Sequence, residues 1–482
     1  MFVGLDLGTS GVKALLVDRD GRAVGSTDAT YGVANPAPGW SEQDPADWVA
    51  GVSQALTALR AAHPQEYGAV QGISFSGHMH GAVLVGADGA VLRPCILWND
   101  TRSHAEAAAL NALPGVRDLS GNIVFPGFTA PKLAWVAANE PEIFANVAKV
   151  MLPKDYVVWW LTGRYVTEMS DAAGTAWLDV GRRVWSEPLL AASGMTADQM
   201  PALLEGTDVV GPLRSERADL GLPKGALVVA GGADNAVAAC GVGALGEGDG
   251  FVSLGTSGVV LAGRDRYAPR AQSAVHTFCH AVPDRWYQMG VVLAATDSLN
   301  WLSRVTGQSP GDLSDALGDT LAPPCATKFY PYLSGERTPH NDAQVRGGFT
   351  GLDVATGPQE LTRAVMEGVS FALRDSFEAL RTTGATLETA LVIGGGSQSD
   401  HWTRMLATVL NIPLERPDEG AFGAALGAAR IAICGVTGAT PAEVMTKPPI
   451  KDVIAPDPNH VAAYGDAYRG FAAAYPTLKA MP

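Results

Sequence analysis

The sequence predicts an α/β protein built from two similar halves, and three observations carry that reading. The chain has 482 residues, more than one ordinary core accommodates and enough for two large domains. Its composition is globular: 47% hydrophobic and 17% charged residues allow sizeable buried cores and exclude disorder, coiled coil and collagen. The third observation is an internal repeat, in which Leu7-Gly8-Thr9-Ser10-Gly11-Val12 recurs identically as Leu254-Gly255-Thr256-Ser257-Gly258-Val259. Each copy follows a short apolar run (Phe2 to Leu5; Phe251 to Leu254) and precedes another (Val12 to Val17; Val259 to Ala262). Each half therefore opens on strand, glycine turn, strand.

In the first half the second strand ends at Asp20-Gly21, a hairpin-turn signal, and Ala23 to Ser26 returns as a third strand. A helix then begins at Asp44-Pro45, where Asp is a good N-cap and Pro suits the first helical position. Val49, Val52, Leu56 and Leu59 recur on one of its faces. Gly72 to Ser76 reads as a strand ending in Gly77-His78-Met79-His80-Gly81, and Ala226 to Ala230 as a buried strand ending in Gly231-Gly232-Ala233-Asp234-Asn235. The second half repeats the logic. A long helix follows Pro358, with Leu361, Val365, Val369, Ala372, Phe377 and Leu380 at helical spacing, and Leu391 to Ile393 forms a strand before Gly394-Gly395-Gly396-Ser397. Gly420 to Ala429 is nearly all small residues, which suits close approach to a backbone or a flat ligand. The Gly-rich stretch Gly243 to Gly250 places the domain boundary between 1–245 and 246–482.

With 34 Lys+Arg against 49 Asp+Glu the formal charge is -15, and no basic run provides a footprint for a nucleic-acid backbone. A nucleotide is not excluded, because backbone amides and a divalent cation hold phosphates whatever the global sign. The five cysteines, Cys95, Cys240, Cys279, Cys325 and Cys434, are odd in number and widely spaced, which fits neither a disulfide framework nor a zinc ribbon. Asp6 follows only five residues, with no signal-like start, and no uncharged apolar run reaches the ~18 residues of a membrane span. The expectation is a soluble cytoplasmic protein.

Four elements carry chemistry. Gly8-Thr9-Ser10-Gly11 offers unhindered amides and two hydroxyls to phosphate oxygens, and Asp6 before it suits a magnesium ion; an ordinary glycine turn is the alternative. The second copy, Gly255-Thr256-Ser257-Gly258, favours phosphate, although neither copy has the spacing of a Walker loop. Lys13 is equally a phosphate contact or a solvated strand lysine. Asp234, at a strand end after two glycines, is placed either to take a proton from a hydroxyl attacking phosphorus or to cap the next helix. Met79-His80 between glycines suits a small polyol pocket or, for Met79, core packing. Gly394-Gly395-Gly396-Ser397, with the stretch from Gly420, suits a base or ribose lying flat, or packing alone. His276, Cys279 and His280 have metal-ligand spacing without a fourth ligand and are read as packing. Trp98, Trp177 and Trp402 are read as core or pocket walls.

Taken together, these residues resemble the FGGY carbohydrate kinases over nearly the whole chain. The resemblance is carried in the first half by Gly4-Leu5-Asp6-Leu7-Gly8-Thr9-Ser10-Gly11, Trp40-Ser41-Glu42-Gln43-Asp44-Pro45, Gly77-His78-Met79-His80-Gly81, Ile96-Leu97-Trp98-Asn99-Asp100 and Pro153-Lys154-Asp155-Tyr156. Ser170-Asp171-Ala172-Ala173-Gly174-Thr175, Gly232-Ala233-Asp234-Asn235, the second glycine turn, Leu333-Ser334-Gly335-Glu336-Arg337-Thr338-Pro339 and the Gly394 loop continue it. It implies two actin-like, ribonuclease-H-like domains with an interdomain cleft, sugar bound mainly by the first and ATP mainly by the second. It further implies Asp234 as general base, Met79, His80 and Asn235 as sugar contacts and Asp6 as the magnesium-linked carboxylate. Phosphate and adenosine contacts fall on Gly255, Thr256 and the Gly394 loop. The departures are His78, where glutamine is common, and Ala233, where glycine is. The implied reaction is ATP- and Mg2+-dependent phosphorylation of D-xylulose at its 5-hydroxyl, by a possible homodimer. The rivals are a kinase for ribulose, fuculose, gluconate or glycerol, and a noncatalytic ATPase of the actin superfold.

Overall fold

Phe2–Leu7 and Gly11–Val17 pair antiparallel around the first glycine turn, and Ala23–Thr30 extends the meander. In the computed structural model, which describes residues 1–418 and 423–481, these strands form one flank of a mixed sheet. Its order is Val209–Pro212, Leu227–Val229, Gly72–Gly77, Phe2–Leu7, Gly11–Val17, Ala23–Thr30. Gly72–Gly77 runs parallel to both Phe2–Leu7 and Leu227–Val229. Beyond Leu227–Val229 the chain bends at Gly231, whose φ is +86°, and Gly232–Ala233 resumes pairing with Ser76 and Gly77. A side chain at Gly231 would overlap the Phe75 carbonyl, so the bend requires glycine.

Helix Pro45–Ala62 covers this sheet. Asp44 caps it, its carboxylate accepting from the Ala46 amide at 2.9 Å. Trp48, Val52, Ala55, Leu56 and Leu59 are its buried face, whereas Val49, expected on that face, is only half-buried. Each large aliphatic side chain buried there contributes about 1.5–3 kcal/mol.

The second sheet repeats the plan. Trp286–Val292, Gly258–Arg264, Gly250–Leu254, Ala390–Ile393, Leu414–Pro417 and Ile450–Ile454 lie side by side in that order. Gly250–Leu254 pairs antiparallel with Gly258–Arg264 and parallel with Ala390–Ile393. Each sheet thus has an antiparallel hairpin whose first strand leads into two parallel strands, the ribonuclease-H-like, actin-like pattern. Helix Pro358–Arg381 buries Val365, Val369, Ala372, Phe377 and Leu380 in the second core.

The chain divides into two compact units. One gathers the described residues of Met1–Leu245, Phe278–Trp286 and Ala421–Lys447, and the other those of Gly246–Thr277, Tyr287–Gly420 and Pro448–Pro482. The sequence division at 245/246 keeps each half contiguous, whereas two later segments return to the first unit. Helix Gly423–Thr437 shows the physical reason. A side chain at Gly427 would overlap the Val237 carbonyl, and one at Gly4 the Ala425 carbonyl. The small residues therefore let this helix lie directly on strand Phe2–Leu7 and on helix Asp234–Val242. Gly420, where the stretch begins, lies outside the described residues. No helix among those described is long and apolar enough to cross a membrane.

Candidate active site

In the first unit the carboxyl ends of parallel strands collect the acidic residues, as open α/β sheets favour. Asp6 stands level with Ser76 on the neighbouring strand, and the Ser76 hydroxyl donates to Asp6 Oδ1 at 2.8 Å. Burial raises the Asp6 proton affinity, against the Ser76 hydrogen bond and the positive charge of Lys13. Asp234 opens helix Asp234–Val242 and is half-buried. Its Oδ1 accepts from the Asn235 amide at 2.6 Å and from Asn235 Nδ2 at 2.9 Å. These bonds reach only the adjacent residue, and the cap position belongs to Ala233, so Asp234 is not an ordinary helix cap. Burial pushes its pKa up to about 6; the Asn235 bonds oppose the rise and the nearby Asp6 charge adds to it. Ala233 donates its amide to Ser170 Oγ at 3.0 Å.

The first glycine turn is braced from three sides. Tyr31 OH donates to the Gly8 carbonyl at 2.7 Å, Gln43 Nε2 to the Thr9 carbonyl at 2.6 Å and Trp98 Nε1 to Thr9 Oγ1 at 3.0 Å. Because Trp98 donates, the Thr9 hydroxyl proton is left to point elsewhere. Ser10 is exposed. Lys13 lies across the hairpin from Asp6, its ammonium 3.6 Å from Asp28.

Met79 is buried and His80 half-buried beside it. A Cβ on Gly174 would come within 2.7 Å of both the Met79 methyl and the His80 ring, so one glycine backbone supports the pair. His80 Nδ1 lies 2.7 Å from the Gly174 carbonyl, which fixes Nδ1 as the protonated nitrogen. His78, the departure from the family pattern, is buried edge-on against Trp48; burial pushes its pKa down to about 3 and keeps it neutral.

In the second unit the repeated turn is tied to the start of helix Thr296–Thr306. Thr296 donates its amide and hydroxyl to the Gly255 carbonyl at 2.9 and 2.8 Å, and Ala295 donates to the Thr256 carbonyl at 2.9 Å. Thr256 and Ser257 are exposed at the turn. Gly394, with φ +90°, presses on it: a Cβ there would lie 2.7 Å from the Leu254 carbonyl oxygen. Ser397 Oγ donates back to the Gly394 carbonyl at 2.7 Å. Gly395 and Gly396 form one wall of a cavity of about 350 Å³, with Leu299, Met366 and Trp402 as apolar lining and Thr296, Asn300, Ser314, Gln398 and Ser399 as polar lining. An apolar slot with a few polar groups beside a glycine turn suits a nucleoside.

The structure therefore brings Asp6, Thr9, Ser10, Met79, His80, Asp234 and Asn235 into one unit, and Gly255, Thr256, Ser257 and Gly394 to Ser397 into the other. Sequence reasoning missed Ser76, Tyr31, Gly174 as a support, and the helix residues lining the cavity other than Trp402. Among the described residues no group of three or more His, Cys, Asp or Glu side chains is placed to hold a metal ion. Trp177 and Trp402 are fully buried, whereas Trp98 is 42% exposed.

Residues 1–241 match the N-terminal domain, and residues 250–436 the C-terminal domain, of the FGGY family of carbohydrate kinases. The chain belongs to this family. This FGGY kinase is 44% identical to a xylulose kinase of Escherichia coli (strain K12), with 99% of each chain covered. It is similar to the crystal structure of a xyloylose kinase from Brucella ovis, at 52% identity and TM-score 0.97, covering 100% of this chain and 99% of that one. A gluconate kinase from Lactobacillus acidophilus shares 26% identity at TM-score 0.92, with 99% and 98% covered. The FGGY kinase uses a nucleotide and acts on a small-molecule sugar.

Proposed function

We propose that the protein transfers the γ-phosphoryl group of ATP, with Mg2+, to the 5-hydroxyl of D-xylulose, giving D-xylulose 5-phosphate and ADP in pentose (xylose) catabolism. The observation that carries the reading is the Asp234 carboxyl, half-buried beside Asp6 at the strand ends, with its pKa raised to about 6. A base of that strength is ionised near neutral pH yet basic enough to take a hydroxyl proton as the oxygen attacks phosphorus. Asp234 thus orients and deprotonates the hydroxyl, Asn235 holds Asp234 and meets the sugar, and Met79 and His80 line the ketose.

The residues fit a magnesium ion. Ser76 engages Asp6 Oδ1, which leaves Oδ2 for a hard cation, and magnesium is commonly held by one or two carboxylates with phosphate oxygens and water. When bound, it offsets charge on the phosphate oxygens. Thr9 and Ser10 offer hydroxyls and amides to those oxygens, and Lys13 adds positive potential. In the second unit Gly255, Thr256 and Ser257 hold phosphates, while Gly394, Gly395, Gly396 and Ser397 form the glycine wall against which the adenosine lies.

Identity to the Escherichia coli xylulose kinase and the Brucella ovis xyloylose kinase, at 44% and 52%, is well above the 26% shared with the gluconate kinase, which supports the pentulose over the sugar acid. Coupled ADP release across D-xylulose, D-ribulose, L-fuculose, gluconate and glycerol tests the reading. D-xylulose is expected to give the highest kcat/KM; a clear preference for another polyol overturns the substrate. Hydrolysis without sugar stimulation or phosphosugar product would instead identify a noncatalytic ATPase. The same reading places the protein in the cytoplasm, where thiols stay reduced, consistent with five unpaired buried cysteines. It also includes a homodimer, an expectation of the family resemblance that light scattering tests.

A further inference from the structure

Lys132, on helix Thr129–Asn139, has no exposed surface. Among the described residues no carboxylate lies within ion-pair distance of it, and its hydrogen bond runs from Nζ to the His80 carbonyl at 2.7 Å. A buried ammonium without an anion is costly and calls for a reason. Burial pushes its pKa down to about 7; of the groups that face it, Cys95 and Asp100 favour its charge, Arg102 opposes it, and His78 is neutral.

The acceptor is itself unusual. His80 is a non-glycine residue at φ +72°, a conformation that persists only where the surroundings enforce it. The enforcement is visible. Thr129 Oγ1 also donates to the His80 carbonyl, at 3.2 Å, from the same helix as Lys132. The ring stacks on Phe128 with centroids 4.5 Å apart, and Nδ1 is held by Gly174. Backbone and ring are thus fixed by separate contacts, and Lys132 and Thr129 both donate to the backbone carbonyl.

We propose that Lys132 is a positioning residue for the sugar site: by donating to the His80 carbonyl it holds that peptide in the left-handed conformation which sets the imidazole beside Met79. The inference rests on the reading that His80 meets the sugar, and the experiment separates the two. KM and kcat for D-xylulose and ATP are measured for Lys132→Met, His80→Ala and the double variant. Lys132→Met is expected to raise the D-xylulose KM about tenfold with the ATP KM within about twofold, and the double variant to be no worse than His80→Ala, because Lys132 acts through His80. A purely structural lysine would lower the melting temperature and worsen both backgrounds alike; that result, or an unchanged D-xylulose KM, overturns the proposal. A normal D-xylulose KM in His80→Ala overturns the reading of His80 and the proposal with it. Should Lys132→Met not fold, Thr129→Val removes the other donor to the same carbonyl. It is expected to raise the D-xylulose KM about threefold, again without effect in the His80→Ala background, and no rise overturns the proposal.

Discussion

Replacing Asn235 with alanine should move the acid limb of the pH profile upward. In the native site Asp234 Oδ1 accepts two hydrogen bonds from Asn235, one from the backbone amide and one from Nδ2 at 2.9 Å. Both favour the carboxylate, whereas burial and the charge of Asp6 favour the acid, and the balance lies at about 6. A general base works only when deprotonated. kcat/KM should therefore fall about tenfold per unit below that pH and level off above it. The side-chain bond to a charged, half-buried group contributes about 1 kcal/mol, which corresponds to a shift of about 0.7 pH units. In Asn235→Ala the midpoint should rise by that amount, whatever happens to the height of the plateau. The assay is coupled ADP release at subsaturating D-xylulose across the acid-to-neutral range. A midpoint that stays in place or moves down would refute the reasoning, because it would mean that the titrating group is not the one Asn235 holds.

Gly394→Ala puts a side chain into a glycine-only conformation and against the Leu254 carbonyl; strain of about 1–3 kcal/mol at the second glycine turn, proposed to hold phosphates, should raise the ATP KM about tenfold or more, read by kinetics with varied ATP. Gly427→Ala forces helix Gly423–Thr437 off the Val237 backbone. Overpacking of about 1–3 kcal/mol should appear as a lower midpoint in denaturant unfolding, with both KM values little changed in the folded enzyme. Trp98→Phe keeps an aromatic ring but removes the donor to Thr9 Oγ1. A neutral hydrogen bond of about 1 kcal/mol predicts an ATP KM a few fold higher, and the effect should vanish in a Thr9→Val background.

The two glycine turns, the capped helix at Asp44 and the strand ending at Asp234 were legible because each rests on local chemistry: hairpin glycines, an N-cap with a following proline, and apolar runs that stop at glycine. The return of residues 423–447 to the first unit was not. Small residues announce that something comes close but do not say what, and here the partners are the backbones of Gly4 and Val237. The same limit applies at the site. Asp6, Met79, His80 and Asp234 stand in short motifs, whereas their supports come from far along the chain, as Ser76 does for Asp6 and Gly174 for Met79 and His80. Gln43 and Trp98 lay within recognised motifs, but only the fold shows that both grip Thr9. The cavity residues Asn300, Ser314 and Gln398 carry no sequence signal, since isolated polar residues on helices and turns look like surface until an apolar slot forms beneath them.

The most direct test removes the Asp234 carboxyl. In Asp234→Ala, phosphoryl transfer to D-xylulose should fall by about 10²–10⁴-fold, while ATP binding, followed by calorimetry, stays within about twofold of the native protein. Near-native turnover of D-xylulose in that variant would contradict the account, because the acid at the strand end would then have no part in readying the hydroxyl.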